Sequence, residues 1–323
     1  MNKILVICGP TATGKTSLGI RLAKMLNGEL ISADSRQVYK GMDIITGKDQ
    51  PSSTKIHLID VIEPNQDFNV AEYYRLAWQA IEKIWKASKL PIIVGGAGFY
   101  IQAVIKGIES MSIPPNLQLR KKLAGKSVTE LFSELEKLDP FRAAKMNISD
   151  RNNPRRLVRA IEIALQIRNS KSVHGESVQD ESEIRNKFQI QNPEFKTNDI
   201  LFIGLKAPYK ILYQRIDSRV DKRVKQGAEK EISHLLKKGY RWENSAMGVT
   251  IGYREWRLFF EKKETREEII RCWKFAEHAY ARRQMTWYRK TFRQAQGKWF
   301  DITDKKCQDK VKQLVSNWYG TKN

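Results

Sequence analysis

Eight residues near the start of the chain constrain its fold more than any other feature. They have the spacing of a phosphate-binding loop, a glycine followed by four residues and then Gly-Lys-Thr, and are Gly9, Pro10, Thr11, Ala12, Thr13, Gly14, Lys15 and Thr16. An apolar run precedes this phosphate loop and apolar residues at helical spacing follow it, which is the strand, loop and helix context that the motif requires.

The phosphate loop predicts the kind of ligand. Its backbone N–H groups and the N-terminus of the following helix face an anion, and the Lys15 side chain adds a positive charge. The Thr16 hydroxyl can reach a Mg²⁺ ion. We therefore predict that a compound carrying a phosphate or diphosphate binds at this loop.

The acidic residue expected nearest to the phosphate loop is Asp34. Nucleotide hydrolases with such a loop usually carry a second apolar strand that ends in Asp. Here the candidate strand, residues 90 to 94, ends instead in Gly95-Gly96-Ala97-Gly98. Asp34 follows the short apolar strand Leu30-Ile31, and the C-terminal ends of strands in a doubly wound sheet converge on one ligand crevice. We expect the Asp34 carboxylate to lie there, where it can accept a proton from a nucleophile.

The composition favours a polyanionic partner. The 323 residues include 58 Lys and Arg against 36 Asp and Glu, a net charge of +22. This excess is typical of nucleic-acid binding, although the solvated lysines of a generally basic proteome would give the same number. Three widely separated cysteines without metal-ligand spacing predict neither a disulfide framework nor a zinc site.

The same sequence predicts a cytoplasmic protein without a membrane segment. No apolar run approaches the roughly 18 residues of a membrane span. Met1 leads directly into the first apolar run, which leaves no room for a signal or transit peptide.

The order of patterns predicts an α/β fold, a P-loop NTPase-like parallel sheet core flanked by helices, with an inserted helical domain. Residues 1–113 and 199–323 form the predicted core, and residues 114–198 form the insertion, where helical patterns alternate with polar connections. Residues 57 to 61 predict a short strand, in which we interpret His57 as structural. Residues 169 to 198 predict a polar connection.

Two clusters of arginines are candidates for anion contacts. Arg155, Arg156 and Arg159 follow Pro154, which can begin a helix, and they can contact a phosphate backbone together. A solvated or ion-paired helix face would give the same pattern. The second cluster, Arg215, Arg219 and Arg223, repeats every four residues and so lines one face of a helix.

A long C-terminal helix is predicted after the capping sequence Thr265-Arg266-Glu267-Glu268. It interleaves basic and aromatic residues with Gln284, a composition that suits single-stranded nucleic acid because aromatic rings stack on bases and cations hold phosphates. Alternatively, the aromatic residues belong to the core and the cations to solvent. We expect both descriptions to hold, on opposite faces.

Together these segments resemble the tRNA dimethylallyltransferase family, also called tRNA isopentenyltransferases. The matching segments run in consistent order from residue 1 to about 290 and are GPTATGKT (9–16), ISADSRQVYKGMDI (31–44), HLIDVIEP (57–64), VGGAGFYI (94–101), NNPRRLVRAIEI (152–163), IGYRE (251–255) and ARRQMTW (281–287). The zinc finger of the eukaryotic members is absent after residue 290, which favours the bacterial type.

The resemblance implies a reaction and its partners. A dimethylallyl group passes from dimethylallyl diphosphate to N6 of the adenosine 3′ of the anticodon (position 37) of a tRNA, with Mg²⁺ and with release of diphosphate. The core and the inserted domain would grip the tRNA anticodon stem-loop between them, and the protein would be a monomer.

The resemblance also implies roles for individual residues. The phosphate loop, Thr16 with Mg²⁺, and Arg219 would stabilise the charge that develops on the diphosphate. Asp34 would accept the N6 proton from an adenine extruded into the protein. The residues implied to line the tRNA site are Asp34, Ser35, Arg36, Gln37, Ala97, Arg155, Arg156, Arg159, Arg282 and Gln284.

Two positions depart from the family pattern. Relatives usually have Thr where this chain has Ala97, and the hydroxyl of that Thr would face the reaction channel. The absence of this hydroxyl is expected to slow catalysis or to change the fit of the prenyl donor. Relatives also usually carry Asp where Asn153 stands, which is expected to alter a contact with tRNA.

Three other functions fit parts of the sequence. A kinase of a small metabolite would use the same loop and Asp34, but it leaves the net charge unexplained. An enzyme that prenylates free adenine nucleotides would not need the inserted domain. An RNA-binding module with a degenerate loop is disfavoured by the intact Lys15, Thr16 and Asp34, although Ala97 leaves this alternative open.

Overall fold

The computed structural model describes residues 2–48, 54–107, 113–173, 199–291 and 297–320. These residues form two compact units. One unit contains the residues up to Ile105 and those from 199 onward, and the other contains the described residues from Lys106 to 173. The predicted domain boundaries, at 113 and 198, stay predictions because each lies at the edge of a range that the structure does not describe.

A six-stranded sheet, with every strand parallel to its neighbours, forms the centre of the first unit, in the order β3-β2-β4-β1-β5-β6. The strands are β1 (Ile4–Cys8), β2 (Gly28–Ala33), β3 (Ile56–His57), β4 (Leu90–Gly95), β5 (Ile200–Lys206) and β6 (Lys298–Asp301). Every residue of β1 and β4 is buried, as expected for parallel strands covered by helices on both faces. The predicted α/β fold is confirmed.

The helices carry the apolar faces that cover this sheet and build the second unit. In chain order they are α1 (Lys15–Leu26), α2 (Val70–Lys86), α3 (Gly98–Lys106), α4 (Leu117–Leu123), α5 (Val128–Leu138), α6 (Pro140–Lys145), α7 (Ile148–Arg151), α8 (Pro154–Val173), α9 (Tyr209–Lys225), α10 (Ala228–Lys237), α11 (Tyr253–Phe260), α12 (Arg266–Thr291) and α13 (Cys307–Tyr319). A 3₁₀ turn, Ala246–Val249, precedes α11. Within the described ranges, no helix combines the length and the apolar composition that a membrane span requires.

The second unit is helical and has its own core. Leu131 and Leu135 of α5 pack against Leu157 and Ile161 of α8. The buried carboxylate of Glu162 accepts hydrogen bonds from the Arg120 guanidinium, at 2.7 and 3.0 Å. The unit is therefore stabilised by an apolar interface and by a paired buried charge.

Two local predictions are wrong. The strand predicted at 57–61 ends at His57, because Leu58 and Asp60 adopt left-handed backbone conformations with φ of 63° and 56°. His57 is structural as expected, since its Nε2 lies 2.6 Å from a carboxylate oxygen of Glu29. The polar connection predicted from residue 169 is wrong for residues 169 to 173, because α8 continues to Val173. The rest of that prediction, residues 174 to 198, lies outside the described residues.

One carboxylate fixes the loop after β2. Glu231 of α10 accepts hydrogen bonds from the backbone N–H groups of Asp43, Ile44 and Ile45, at 2.8, 2.6 and 3.1 Å. It also accepts one from the Tyr253 hydroxyl at 2.5 Å. Three consecutive N–H groups form a concave anion site, and here a side chain of the protein fills it.

Replacing Glu231 with Ala is expected to lower the free energy of unfolding by about 2 to 4 kcal/mol, because three N–H groups and a hydroxyl lose their acceptor. Urea denaturation measures this change. The control is Glu229→Ala on the same helix, whose ion pair with Arg266 joins two partly exposed side chains. The control should lose much less stability, and equal losses in the two variants would refute the role of Glu231.

Candidate active site

A cavity of about 300 Å³ in the first unit is lined by the phosphate loop, the loop after β2 and the turn after β4. These three segments follow the C-terminal ends of β1, β2 and β4, which are neighbours in the sheet. Helices α9 and α12 supply further walls. Among the described lining residues, two are acidic and six are basic, namely Asp34 and Glu277 against Lys15, Arg36, Arg219, Arg223, Arg254 and Arg283. The cavity is therefore suited to an anion.

The backbone of the phosphate loop is shaped for close approach. Gly9 has a φ of 141°, and a Cβ atom there would lie 2.3 Å from the Leu205 carbonyl oxygen, so only glycine fits. Gly14 caps α1 with a φ of 83° and provides no side chain to occupy the helix N-terminus. The first N–H groups of α1 thus remain available to an anionic ligand.

Lys15 and Arg219 bring positive charge to this loop. The Lys15 ammonium donates to the Pro10 carbonyl at 2.6 Å, and the Arg219 guanidinium donates to the Thr11 hydroxyl at 3.2 Å. Burial and the charge of Arg219 lower the pKa of Lys15 to about 8, while the Asp34 carboxylate acts in the opposite direction. The three charged groups therefore influence one another across the cavity.

Asp34 lies on the same cavity as the phosphate loop, as the strand order predicts. It directly follows β2, whose last residue pairs with Gly95 of β4. One carboxylate oxygen, Oδ1, accepts the Arg36 N–H at 2.8 Å, which holds the carboxylate in a tight turn. Ser35, Arg36 and Gln37 also line the cavity.

Gln284 joins two of the segments that form the cavity. Its side-chain oxygen accepts the Thr11 N–H at 2.9 Å, and its side-chain nitrogen donates to the Gly96 carbonyl at 3.0 Å. Only 6% of Gln284 is exposed. The predicted contact of Gln284 with tRNA stays a prediction, and the structure adds an internal role that the sequence did not indicate.

Two other residues implied to contact tRNA are not among the described lining residues of this cavity. Ala97 is partly buried between the lining residue Gly96 and the start of α3, and its N–H donates to the Ala33 carbonyl at 3.0 Å. Arg282 is exposed on α12 and donates to the Tyr213 hydroxyl at 2.7 Å.

The three arginines of the second unit differ in their surroundings. Arg155 is exposed, and Arg156 forms an ion pair with Asp150. Arg159 donates to the Glu162 carboxylate at 3.0 Å and to the Ile113 carbonyl at 2.6 Å. Arg159 therefore has a structural role inside its own unit, and the ion-paired interpretation of this cluster describes two of its three members.

Sequence reasoning missed Glu277 and Tyr280, which also line the cavity. The signal that could have found them is their spacing: together with Gln284 they occupy positions i, i+3 and i+7, one face of α12. Glu277 is the acidic member of that stripe and is 9% exposed. An acidic residue buried so deeply requires a partner, which the structure provides as Arg223.

The cavity offers oxygen donors that suit Mg²⁺. The Thr16 hydroxyl and the Asp34 carboxylate both line it. Among the described residues, no three His, Cys, Asp or Glu side chains gather into a metal cage. Mg²⁺ is commonly held by one or two protein oxygens together with waters and substrate phosphates, and the donors present fit this mode.

Comparison with known families agrees with this geometry. The model described as isopentenyl transferase matches residues 2–66, and the model described as IPP transferase matches residues 37–291. The chain belongs to the IPP transferase family. The resemblance found in the sequence is thereby confirmed.

Individual members of the IPP transferase family resemble the chain over most of its length. The tRNA dimethylallyltransferase of Roseiflexus sp. (strain RS-1) is 38% identical over 297 residues, covering 90% of this chain and 91% of the relative. That of Anoxybacillus flavithermus is 38% identical over 305 residues, covering 94% and 91%.

Solved structures of this family have the same fold. The tRNA isopentenylpyrophosphate transferase of Bacillus halodurans matches with a TM-score of 0.68 and 33% identity, over 99% of this chain and 97% of that one. A eukaryotic dimethylallyltransferase described as acting on tRNA matches with a TM-score of 0.77 and 28% identity, over 97% of this chain and 77% of that one.

The lowered pKa of Lys15 predicts that anion binding weakens in alkaline solution. Lys15 is protonated below a pH of about 8 and neutral above it, and an anion prefers the protonated form. The dissociation constant for inorganic diphosphate, measured by calorimetry, should rise by up to about tenfold per pH unit above that value. Lys15→Arg stays charged and controls for the ionisation of diphosphate itself. Identical pH profiles for the two proteins would contradict the prediction.

The internal role of Gln284 predicts a loss of stability without any RNA. Gln284→Met preserves the length of the side chain but removes both hydrogen bonds, so unfolding should become easier by about 1 to 3 kcal/mol in urea. Arg289→Met, at an exposed position of the same helix, should have little effect. A residue that only contacted RNA would leave the stability of the free protein unchanged.

Proposed function

We propose that this chain transfers a dimethylallyl group from dimethylallyl diphosphate to N6 of the adenosine 3′ of the anticodon in tRNA. The observation that carries the proposal is a single cavity with a cationic phosphate loop and the Asp34 carboxylate on its wall. Such a cavity can hold a diphosphate leaving group and a proton acceptor together. Similarity to relatives named tRNA dimethylallyltransferase supports this choice of substrates.

On the donor side, the protein stabilises the leaving diphosphate. The N–H groups at the start of α1 and the side chains of Lys15 and Arg219 bind its oxygens. Charge accumulates on these oxygens as the bond between carbon and the diphosphate breaks, so the same contacts strengthen in the transition state. We infer that the Thr16 hydroxyl would help to hold Mg²⁺, which would supply further positive charge to this site.

On the acceptor side, the protein provides a base. The adenine amino group is a weak nucleophile, and it must lose a proton as its nitrogen forms the new bond to carbon. Asp34 takes that proton, and diphosphate leaves with the electron pair of the broken carbon–oxygen bond. The hydrogen bond from the Arg36 N–H holds the Asp34 carboxylate in place for this transfer.

Recognition of the RNA involves the basic surface of the chain. A net charge of +22 suits a polyanion, and exposed Arg155 and Arg282 are candidates for phosphate contacts. The target base must leave its stack to reach a cavity inside the protein. We infer that the inserted unit binds the tRNA anticodon stem-loop and that the protein acts in the cytoplasm as a monomer.

Asp34→Asn should retain tRNA binding but lose turnover. The amide oxygen can still accept the Arg36 N–H, so the turn is preserved, while the proton acceptor is lost. The rate constant for transfer of a labelled dimethylallyl group to tRNA in a single turnover should fall by about 10² to 10⁴. Asp67→Asn makes the same charge change at an exposed position and should transfer normally. An Asp34→Asn enzyme as fast as the wild type, or one that no longer binds tRNA in a gel shift, would contradict the role.

A further inference from the structure

Arg223 lies on the wall of the cavity, and the proposed mechanism gives its guanidinium group no role. It follows Arg219 by one turn of α9 and is 5% exposed. Its Nη1 donates to the Glu277 carboxylate at 3.3 Å. Its Nε–H is buried and has no hydrogen-bond partner among the described residues. A buried donor without a partner costs about 1 to 3 kcal/mol, so the hydrogen bonds of this guanidinium group are incompletely satisfied where Arg223 lines the cavity.

The two arginines converge on the backbone of Gly47. A Cβ atom at that position would lie 2.2 Å from Nη2 of Arg223 and 2.4 Å from Nη2 of Arg219. Both guanidinium groups therefore occupy the space that a side chain at residue 47 would fill. Gly47 has a φ of 65°, and its carbonyl accepts a hydrogen bond from the Gln37 side chain. The backbone of the loop after β2 is thereby held where the two arginines can come close to it.

Two like charges held side by side need an anion. Burial and the neighbouring charge of Arg219 lower the pKa of Arg223 to about 10. Glu277 balances one of the two guanidinium groups, and the excess of basic over acidic side chains around the cavity remains. A second cavity, at the start of α1, is lined by Lys15, Thr16 and Arg219, and its described lining does not include Arg223. A single phosphate bound there meets Arg219 alone, whereas an anion with two phosphoryl groups can also reach Arg223.

We propose that Arg223 is a second guanidinium contact for the diphosphate, one that selects diphosphate over monophosphate, and that Glu277 is the positioning residue that holds it. Arg219 and the phosphate loop bind one phosphoryl group, and the guanidinium group of Arg223 binds the other. This inference rests on the proposed function in one respect, namely that the cavity binds a diphosphate.

The test is calorimetric titration of the full-length protein with inorganic diphosphate and, separately, with orthophosphate. Arg223→Met should weaken diphosphate binding by about tenfold or more and leave orthophosphate binding nearly unchanged. Glu277→Gln keeps an oxygen that can accept the hydrogen bond from Arg223, and so keeps Arg223 in position, but it removes the counter-charge. This variant should bind diphosphate at least as tightly as the wild type. Lys225→Met removes one charge from an exposed position of the same helix and should bind normally.

Three results would overturn the inference. Equal weakening by Arg223→Met and Glu277→Gln would mean that the ion pair only supports the fold. Equal weakening by Arg223→Met and Lys225→Met would mean a general effect of charge. Unchanged diphosphate binding in Arg223→Met would mean no contact. If Arg223→Met does not fold, the double variant Arg223→Met/Glu277→Gln removes both charges and can be measured instead. This double variant should show the same weakening of diphosphate binding. Normal diphosphate binding in the double variant would also overturn the inference.

The same proteins separate this inference from the proposed function. If the wild type does not prenylate tRNA but diphosphate binding depends on Arg223 as described, the proposed function fails and the diphosphate contact stands. If the wild type prenylates tRNA and Arg223→Met binds diphosphate normally, only the contact fails. In a transfer assay, Arg223→Met should raise the KM for dimethylallyl diphosphate and leave the KM for tRNA unchanged.

Discussion

The structure depends on holding several positive charges around one cavity. Lys15, Arg219 and Arg223 reach the cavity from two helices, and burial lowers the pKa of both Lys15 and Arg223. Such charges repel one another and lose hydration, so they persist only where the surrounding structure fixes them. Here Gln284 ties the phosphate loop to the turn after β4, and Glu277 pairs with Arg223. Binding of the proposed diphosphate would stabilise this arrangement further.

The position of one carboxylate favours group transfer over hydrolysis. In phosphate-loop hydrolases an acidic residue usually follows a second apolar strand and helps to hold the metal. In this chain β4 ends in glycine, and the carboxylate follows β2 instead. Because β2 and β4 are neighbours, Asp34 still reaches the cavity. There it can accept a proton from an incoming nucleophile, and prenyl transfer to an amino group requires such a proton acceptor.

Local signals in the sequence were sufficient for part of this architecture. The phosphate loop and the apolar strands have short-range patterns, and the parallel sheet then places Asp34 beside the loop. The contacts of Glu231 with residues 43 to 45 and of Gln284 with Thr11 join positions far apart in the chain, which no local pattern encodes. The strand at 57–61 was misplaced because nothing in Leu58 indicates a left-handed backbone. Strand β6 was not predicted, since four residues at the edge of a sheet give almost no periodicity.

The most direct test is mass analysis of nucleosides, and of ribonuclease fragments that locate the modified base, from acceptors incubated with the purified protein, Mg²⁺ and dimethylallyl diphosphate. The acceptors are tRNA from cells that lack the modification and, in parallel, free adenosine monophosphate. The account predicts a dimethylallyl mass increment on the adenosine 3′ of the anticodon, dependent on the donor, and none on the free nucleotide. An increment on the free nucleotide alone, or no increment together with phosphoryl transfer from ATP, would contradict it.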